Sequence, residues 1–278
     1  MPATLPPTVE HWMSYPVVTV PADTPAAVCA EIMSRTNRRH LVVVHPDGRM
    51  EGVVTDAALM ALELAFVPQA PEPVAEGLRS SELTAGDLAL VPRVRTAPQA
   101  SLRSVLDALV ADSQDIVVVV EPGERPAGVI TEHDVVRLAA LHGDPMPTVD
   151  DLPLSELVVV GPHQSRRLAR ILMKASGVRH LLVCDEQGLV GVLSWRDLGR
   201  RGVQLGGEAL ARDLDATVAD LLGRAPITVD PGTSLRRAAG LMTEHKIGLL
   251  PVVDDQGQPV TAISRTDLVP YMMRSLFP

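Results

Sequence analysis

The sequence predicts an α/β (α+β) fold that consists of four βαββα repeats, with small mixed sheets flanked by helices. Two observations support this prediction. An apolar strand, a polar turn, a second apolar strand and a hydroxyl residue at a helix start follow one another four times. A helix with apolar residues at helical spacing is predicted ahead of each copy. The four copies begin at Leu41, Ile116, Leu181 and Leu249.

The strands of each copy are continuous apolar runs, such as residues 116–120. Continuous rather than alternating hydrophobicity indicates burial on both faces of a sheet. Glycine and proline in the intervening turns supply the backbone conformations that a hairpin needs. Each hairpin ends at a hydroxyl residue, and these four residues are Thr55, Thr131, Ser194 and Ser264.

The helix ahead of each hairpin is predicted from apolar spacing, as at Leu168, Ile171 and Leu172. The interval from the end of this helix to the hydroxyl residue is nearly constant in three copies, which chance composition does not readily produce. The predicted N-caps or first-turn residues are Thr24, Ser101, Ser165 and Ser234.

The predicted repeats span residues 9–66, 78–143, 152–202 and 214–274. Residues Val67 to Gly77, rich in proline and glutamate, are predicted to form a surface linker. Residues His142 to Asp151 form the predicted boundary between two halves. The chain is therefore expected to contain two modules, residues 1–143 and 152–278.

Composition argues against several function classes. A formal net charge of −9 disfavours a nucleic-acid binder. Cys29 and Cys184 lie far apart and in no metal-binding spacing, so neither a disulfide framework nor a zinc site is expected. No signal peptide and no membrane-spanning apolar run are recognised, and a cytoplasmic location is expected. Without a phosphate loop, HExxH or GxSxG motif, the chain is not expected to be an enzyme.

This repeat pattern resembles the CBS domain family over nearly the whole chain. The resemblance implies that the repeats pair in tandem through their sheets, and that each pair has two clefts. Many family members bind AMP, ADP, ATP or S-adenosylmethionine there. Their signature is glycine, two apolar residues, serine or threonine, two arbitrary residues and aspartate. In the family, the aspartate holds the ribose diol and the hydroxyl residue contacts ribose or phosphate.

The four repeats match this signature to different degrees. Repeats 2 and 3 are complete, repeat 4 has Thr261 in place of the glycine, and repeat 1 has Ala58 in place of the aspartate. The matching hydroxyl and aspartate pairs are Thr131 with Asp134, Ser194 with Asp197, and Ser264 with Asp267. The same spacing is typical of a helix capping box, so a cap and a ligand site both remain open as interpretations.

Basic residues that enter the next strand are candidate phosphate ligands. They are Arg38, Arg39 and His40 in repeat 1, Arg179 and His180 in repeat 3, and His245 and Lys246 in repeat 4. Repeat 2 has Gln114 and Asp115 there, which suit a phosphate poorly. The alternative is that these cations only stabilise helix ends. By resemblance, Thr19, Val159 and Thr228 are expected to line the adenine pocket.

We therefore expect a standalone regulatory protein that binds an adenine nucleotide or a related adenosyl ligand and signals allosterically to an unidentified partner protein. No cofactor is required, and Mg²⁺ can accompany a nucleotide. A membrane or nucleic-acid partner is not expected. The four repeats are expected to form a monomeric disc or a homodimer. The alternative function is a ligand-free CBS scaffold for protein–protein interaction.

Overall fold

The computed structural model describes residues 7–59, 83–111, 116–141, 147–153, 157–199 and 216–276. The predicted linker from Val67 to Gly77, and Gln114 with Asp115, lie outside these described residues. Within them, the order strand, helix, hairpin and helix start recurs in repeats 1 to 3, and in repeat 4 a single bridge at Val229 takes the place of the first strand. The predicted fold class is therefore confirmed.

The strands are short and belong to four separate sheets. They are β1 Thr19–Pro21, β2 His40–Val44, β3 Met50–Thr55, β4 Arg95–Thr96, β5 Ile116–Glu121, β6 Arg125–Thr131, β7 Val159–Val160, β8 His180–Asp185, β9 Gly188–Ser194, β10 Leu249–Val253 and β11 Pro259–Ser264. The α-helices are Ala26–Thr36, Ala85–Leu88, Leu102–Ala111, Glu132–Leu141, Arg166–Ala175, Trp195–Gly199, Leu235–Glu244 and Arg265–Leu276.

Each sheet is mixed and built on the same plan. In repeat 1, β1 runs parallel to β2, and β2 pairs antiparallel with β3. Repeats 2 and 3 repeat this arrangement. In repeat 4 the hairpin β10–β11 forms a two-stranded sheet, and Val229 joins it through a parallel bridge to Val252. The continuous apolar strands are buried because helices and neighbouring sheets cover both faces.

Two of the predicted helix caps are confirmed. The hydroxyl of Ser165 accepts a hydrogen bond from the amide of Leu168 at 3.2 Å, and that of Ser234 accepts one from the amide of Arg237 at 3.2 Å. The prediction for Thr24 is wrong. Pro25 is the N-cap of the first helix and makes no side-chain capping bond.

The structure divides into two compact units, and the division along the chain falls between Asp134 and Val135. This position lies ahead of the predicted boundary segment, of which residues 142–146 are outside the described range. We call residues 4–134 the N-terminal unit and residues 135–278 the C-terminal unit. In the N-terminal unit, Val42 and Val53 of repeat 1 form one buried cluster with Ile116 and Val118 of repeat 2.

A stretch ahead of the first strand of each repeat packs on the other repeat of its own unit. We call these stretches the lead segments, and they are residues 7–16, 83–92, 147–153 and 216–226. In the N-terminal unit, the amide of Val9 donates to the carbonyl of Ala100 at 3.0 Å. The amide of Gly86 donates to the carbonyl of Ala22 at 2.8 Å. The two repeats therefore exchange their lead segments.

The C-terminal unit makes the same exchange. The amide of Val149, ahead of repeat 3, donates to the carbonyl of Thr233 in repeat 4 at 2.9 Å. The amide of Val218, ahead of repeat 4, donates to the carbonyl of Gln164 in repeat 3 at 2.8 Å. Each lead segment therefore satisfies backbone groups around the first helix of the partner repeat.

Candidate functional site

The hydroxyl residue of each signature lies where the second hairpin strand ends. Its cross-strand partner is the first residue of the preceding strand, as in the pairs His40 with Thr55 and His180 with Ser194. The amide of the residue after the hydroxyl residue bonds to the residue before the first hairpin strand. In repeat 3, the amide of Trp195 donates to the carbonyl of Arg179 at 2.9 Å. The backbones of Arg179 and His180 are thus held beside Ser194, and whether their side chains contact a phosphate stays a prediction.

All three signature aspartates cap their own helix. Asp134 Oδ2 accepts hydrogen bonds from the amide and hydroxyl of Thr131, at 2.9 and 3.0 Å. Asp267 Oδ2 accepts the same pair from Ser264, each at 2.7 Å. Asp197 Oδ2 accepts from the amide of Ser194 at 2.9 Å and from its hydroxyl. The capping interpretation is therefore confirmed, and it uses only one carboxylate oxygen.

The second carboxylate oxygen distinguishes the repeats. Asp134 is fully buried, and its Oδ1 accepts a hydrogen bond from the hydroxyl of Ser14 at 2.8 Å. Asp267 is partly exposed, and within the described part of the chain its Oδ1 accepts no hydrogen bond. A carboxylate oxygen has two lone pairs. Asp267 can therefore accept hydrogen bonds from a ligand, whereas both oxygens of Asp134 are already engaged.

Repeat 1 has a cap but no carboxylate. The hydroxyl of Thr55 accepts a hydrogen bond from the amide of Ala58 at 3.1 Å. This is the ordinary geometry of an N-cap, and Ala58 has no acceptor to offer a diol. At this signature Thr55 therefore caps the helix start, and Ala58 stands where the other repeats have a carboxylate.

Charge at the hairpin ends differs between the two units. In the N-terminal unit, the guanidinium of Arg39 lies 3.7 Å from the carboxylate of Glu132, and both side chains are largely buried. Glu132 directly follows the hydroxyl residue of repeat 2. The equivalent position in repeat 4 is Arg265, whose Nη2 donates to the carbonyl of Ile247 at 2.7 Å. An acidic residue in one unit is thus replaced by a basic residue in the other.

In the C-terminal unit the two hairpin ends meet at His180. Its imidazole ring lies 3.1 Å from the point where a Cβ on Gly248 would stand. Gly248 is the residue before β10, and its carbonyl accepts the amide of Arg265 at 3.4 Å. His180 of repeat 3 is therefore adjacent to the end of repeat 4 that bears Ser264. A side chain at Gly248 would crowd this contact.

His245 and Lys246 lie at the end of the helix that precedes β10. His245 is the C-cap of the helix Leu235–Glu244, and Lys246 adopts a left-handed conformation with φ 55°. The hairpin pairing makes Gly248, rather than Lys246, the equivalent of Arg179. The two residues end the helix ahead of the strand, as Ser176 and Gly177 do in repeat 3. Whether His245 and Lys246 contact a phosphate stays a prediction.

Val159 and Thr228 lie at the outer strand of their repeats. Val159 belongs to β7, is 43% exposed and pairs with Leu182. Thr228 is exposed and directly precedes Val229, the residue that bridges to Val252. Thr19 occupies the same position in β1. All three stand at equivalent places, and whether they contact adenine stays a prediction.

The signature glycines make room for the lead segments. A Cβ on Gly128 would stand 2.5 Å from the sulfur of Met13. A Cβ on Gly191 would stand 2.8 Å from the side chain of Leu222. Both distances are shorter than the van der Waals contact distance between packed atoms, so a larger side chain would force its neighbours to move. These glycines therefore have a packing role within each unit that the signature alone did not indicate.

Ser14, Glu132 and Arg265 are the site residues that sequence reasoning missed. One sequence signal for the lead segments was available. A threonine precedes the outer strand of every repeat at the same interval, in the pairs Thr8 with Val20, Thr84 with Thr96, Thr148 with Val160, and Thr217 with Val229. Three of these threonines form hydrogen bonds with Asp87, Asp151 and Asp220. Recognising this element would have indicated which residues border the hairpins.

The described residues contain neither a cluster of metal ligands nor a helix that could span a membrane. Across residues 7–59 and the other described ranges, no three His, Cys, Asp or Glu side chains group as a metal site. None of the helices in the described part is long and apolar enough to cross a membrane.

Comparisons with known proteins place this geometry in a family context. A family profile described as "CBS domain" matches residues 9–64, 149–201 and 218–274, which together make up more than half of the chain. Repeat 2 lies outside these ranges, yet its elements follow the same order. The CBS domain-containing protein YhcV of Bacillus subtilis is 30% identical over 128 residues, which are 46% of this chain and 87% of YhcV.

Two further comparisons concern the whole chain, and one concerns a part. Protein MJ1404 of Methanocaldococcus jannaschii is 25% identical over 95% of this chain, a match that covers 61% of its own length. The crystal structure of MJ1225 from the same organism has a TM-score of 0.78 at 20% identity and covers 95% of this chain and 99% of that one. An inosine-5'-monophosphate dehydrogenase of Korarchaeum cryptofilum matches over only 22% of its length, at 29% identity.

Proposed function

This chain belongs to the CBS domain family, and from that membership we propose that it is a regulatory protein that binds an adenine nucleotide or a related adenosyl ligand in its C-terminal unit. The observation that carries this proposal is the state of Asp267. One of its oxygens caps the helix through Ser264, and the other accepts no hydrogen bond within the described residues. A ribose diol would supply the donors for that oxygen.

The chemistry of Asp267 suits a vicinal diol. A carboxylate oxygen accepts hydrogen bonds from hydroxyl groups, and such charge-assisted bonds are short and strong. The two bonds from Ser264 already fix the orientation of the carboxylate. Because the side chain is held before a ligand arrives, little conformational entropy is lost when it binds. Asp197 is capped in the same way in repeat 3 and is the second proposed ribose contact.

Local cations support a ligand with phosphate groups. Arg179 and His180 lie beside Ser194, and Arg265 directly follows Ser264. The chain as a whole has a formal charge of −9, so long-range attraction does not draw in an anion. Attraction must therefore come from these nearby side chains, since charges farther than about 8–10 Å are screened at physiological ionic strength.

The proposed output is a change of conformation that a partner protein recognises. A ligand shifts an equilibrium only if it binds one conformation more tightly than the other. The partner is a regulated protein, and the setting is the cytoplasm. A scaffold function is the second candidate, and it applies to the N-terminal unit. The observations that favour it are the fully engaged Asp134 and the absence of a carboxylate at Ala58.

The test is calorimetric titration of the full chain with adenosine, AMP, ATP and S-adenosylmethionine. We expect Asp267→Ala, alone and with Asp197→Ala, to weaken binding by about tenfold or more per lost contact, because hydrogen bonds to charged groups are worth about 1.5–3 kcal/mol. Circular dichroism must show that the variants stay folded. Wild-type protein that binds none of the four compounds, or unchanged affinity in the double variant, would overturn the proposal.

A further inference from the structure

Ser14 and Asp134 come from the two ends of the N-terminal unit, yet their side chains meet. The hydroxyl of Ser14 donates to Asp134 Oδ1 at 2.8 Å. This oxygen corresponds to the one on Asp267 that accepts no hydrogen bond within the described residues. A hydroxyl group of the protein therefore stands where a ribose hydroxyl would bind.

We propose that Ser14 substitutes for the ligand hydroxyl on Asp134, so that the repeat-2 site is filled by the chain itself. The Ser14 hydroxyl is then one of several protein groups that close this site to an adenosyl ligand. This inference rests on the proposed function, because it assumes that the signature aspartate contacts ribose.

Equivalent positions in the other lead segments can be assigned from packing. Met13 contacts Gly128, Ala89 contacts Gly52, and Leu222 contacts Gly191. The residue after each contact occupies the place of Ser14, and these residues are Leu90 and Gly223. Leu90 serves repeat 1, which has Ala58 and no aspartate. Gly223 serves repeat 3, which keeps Asp197. Neither Leu90 nor Gly223 has a side-chain hydroxyl, and the counterpart in the lead segment 147–153 lies outside the described residues.

The backbone of the lead segment adds to the closure. Ser14 donates its amide to the carbonyl of Val129 at 2.8 Å and accepts the amide of Val129 at 3.1 Å. Leu90 forms the same two-bond bridge with Val53. Gly223 and Val192 are both described, and no such bridge joins them. In the N-terminal unit, both lead segments are therefore hydrogen-bonded to the signature strand of the other repeat. The lead segment of repeat 4 has no such bond to the signature strand of repeat 3.

The charge at the same place agrees with this difference. Arg39, the counterpart of Arg179, forms an ion pair with Glu132. A phosphate group would have to displace that carboxylate, which the protein holds in a largely buried position. Neither the ribose contact nor the phosphate contact is therefore available to a nucleotide in the N-terminal unit.

The test compares Asp134 with Asp267 in the whole chain. We expect Asp267→Asn to weaken AMP by about tenfold or more, because a hydrogen bond to a charged acceptor is lost. Asp134→Asn is the matched variant and should leave AMP binding unchanged, because Asp134 Oδ1 already accepts a hydrogen bond from Ser14. Equal losses in the two variants would overturn the proposal.

A second measurement addresses Asp134 in the native setting. Asp134→Asn and Ser14→Ala should each lower the urea midpoint of unfolding, while the number of AMP molecules bound per chain and their affinity stay at wild-type values. Loss of one bound AMP in a folded Asp134→Asn variant would overturn the inference and leave the proposed function standing. Wild-type protein that binds no adenosyl compound would instead sink the proposed function, and the inference with it.

Discussion

The guanidinium of Arg39 in repeat 1 lies 3.7 Å from the carboxylate of Glu132 in repeat 2, and this ion pair links the two repeats of the N-terminal unit. Arg39 and Glu132 expose only 18% and 12% of their side chains. A pair held this far from water is screened less than a surface pair. Removing one partner would leave the other charge largely buried.

We therefore expect Glu132→Gln to lower the free energy of unfolding by about 1–3 kcal/mol, below the full cost for a buried pair because some exposure remains. The double variant with Arg39→Ala should lose less than the sum of the single variants. The control is Arg35→Ala, whose pair with Glu31 is exposed and should contribute about 0–0.5 kcal/mol. Urea unfolding of the wild type and the four variants measures these free energies. If the loss in the double variant equalled the sum of the losses in the single variants, Arg39 and Glu132 would not be coupled.

Phosphate selectivity should depend on Arg179 and Arg265. Replacing both by alanine should weaken ATP about tenfold or more per lost contact, and adenosine much less. S-adenosylmethionine, whose sulfonium is positive, should also lose little. Lys246→Ala removes one positive charge from the helix end and should affect all ligands slightly. If adenosine and ATP lost affinity equally, the two arginines would be supporting the fold rather than the phosphates.

Gly248 should be sensitive to the addition of a single methyl group. Gly248→Ala would place a Cβ 3.1 Å from the ring of His180, so the ring must move away from the hairpin end. We expect weaker nucleotide binding by a few-fold and a lower melting temperature. Gly232→Ala is the matched control, since a Cβ there meets no atom within 4 Å. Similar behaviour of the two variants would show that the His180 contact does not position the site.

The two thiols should differ in reactivity. Cys29 is fully buried, and burial raises its pKa above 9.0. Burial, with a smaller effect from the Asp185 charge, also raises the pKa of the partly exposed Cys184. Because the thiolate is the reactive form, alkylation at pH 8 should be slow at Cys184 and slower at Cys29. Unfolding in urea should make both fast. Rapid labelling of native Cys29, followed by mass spectrometry, would contradict its burial.

The raised thiol pKa values also fix the direction of a pH effect. A group whose pKa is higher in the folded protein stabilises the fold below its unfolded pKa, and this stabilisation is lost as pH rises through the folded value. The contribution of Cys29 should therefore be complete at neutral pH and fall above about pH 9. Cys29→Ala should unfold with a shallower pH dependence than wild type above that pH. Identical slopes would show that the thiol is not linked to folding.

Local patterns made much of the fold predictable. The hairpins that end at Thr131 and Ser264 follow from apolar runs, turn residues and a capping signal within short stretches of sequence. Contacts between distant stretches were not predictable in this way. Ser14 and Asp134 lie 120 residues apart, and neither residue alone indicates the other. Asp134 and Asp267 belong to the same sequence signature, although both oxygens of Asp134 accept hydrogen bonds and only one oxygen of Asp267 does within the described residues.

The place of Lys246 relative to the next strand was not predictable either. The sequence comparison matched basic residues between repeats because they lie close to the next strand. The residues at the end of the preceding helix, however, differ in type from repeat to repeat. Lys246 and Asn37 both adopt left-handed backbone conformations there, as Gly177 does in repeat 3. Only the hairpin pairing shows that Gly248 is the counterpart of Arg179. The pairing register of the two hairpin strands, rather than residue type, determines which residues are equivalent.

The exchanged lead segments set the smallest piece of this chain that can stand alone. A repeat separated from its partner would lose the partner's lead segment, which packs at its first helix. Its own lead segment would have no repeat to pack on. Two isolated copies would then tend to exchange lead segments with each other. The natural cassette for duplication, truncation or recombinant expression is therefore a pair of repeats, cut outside both lead segments.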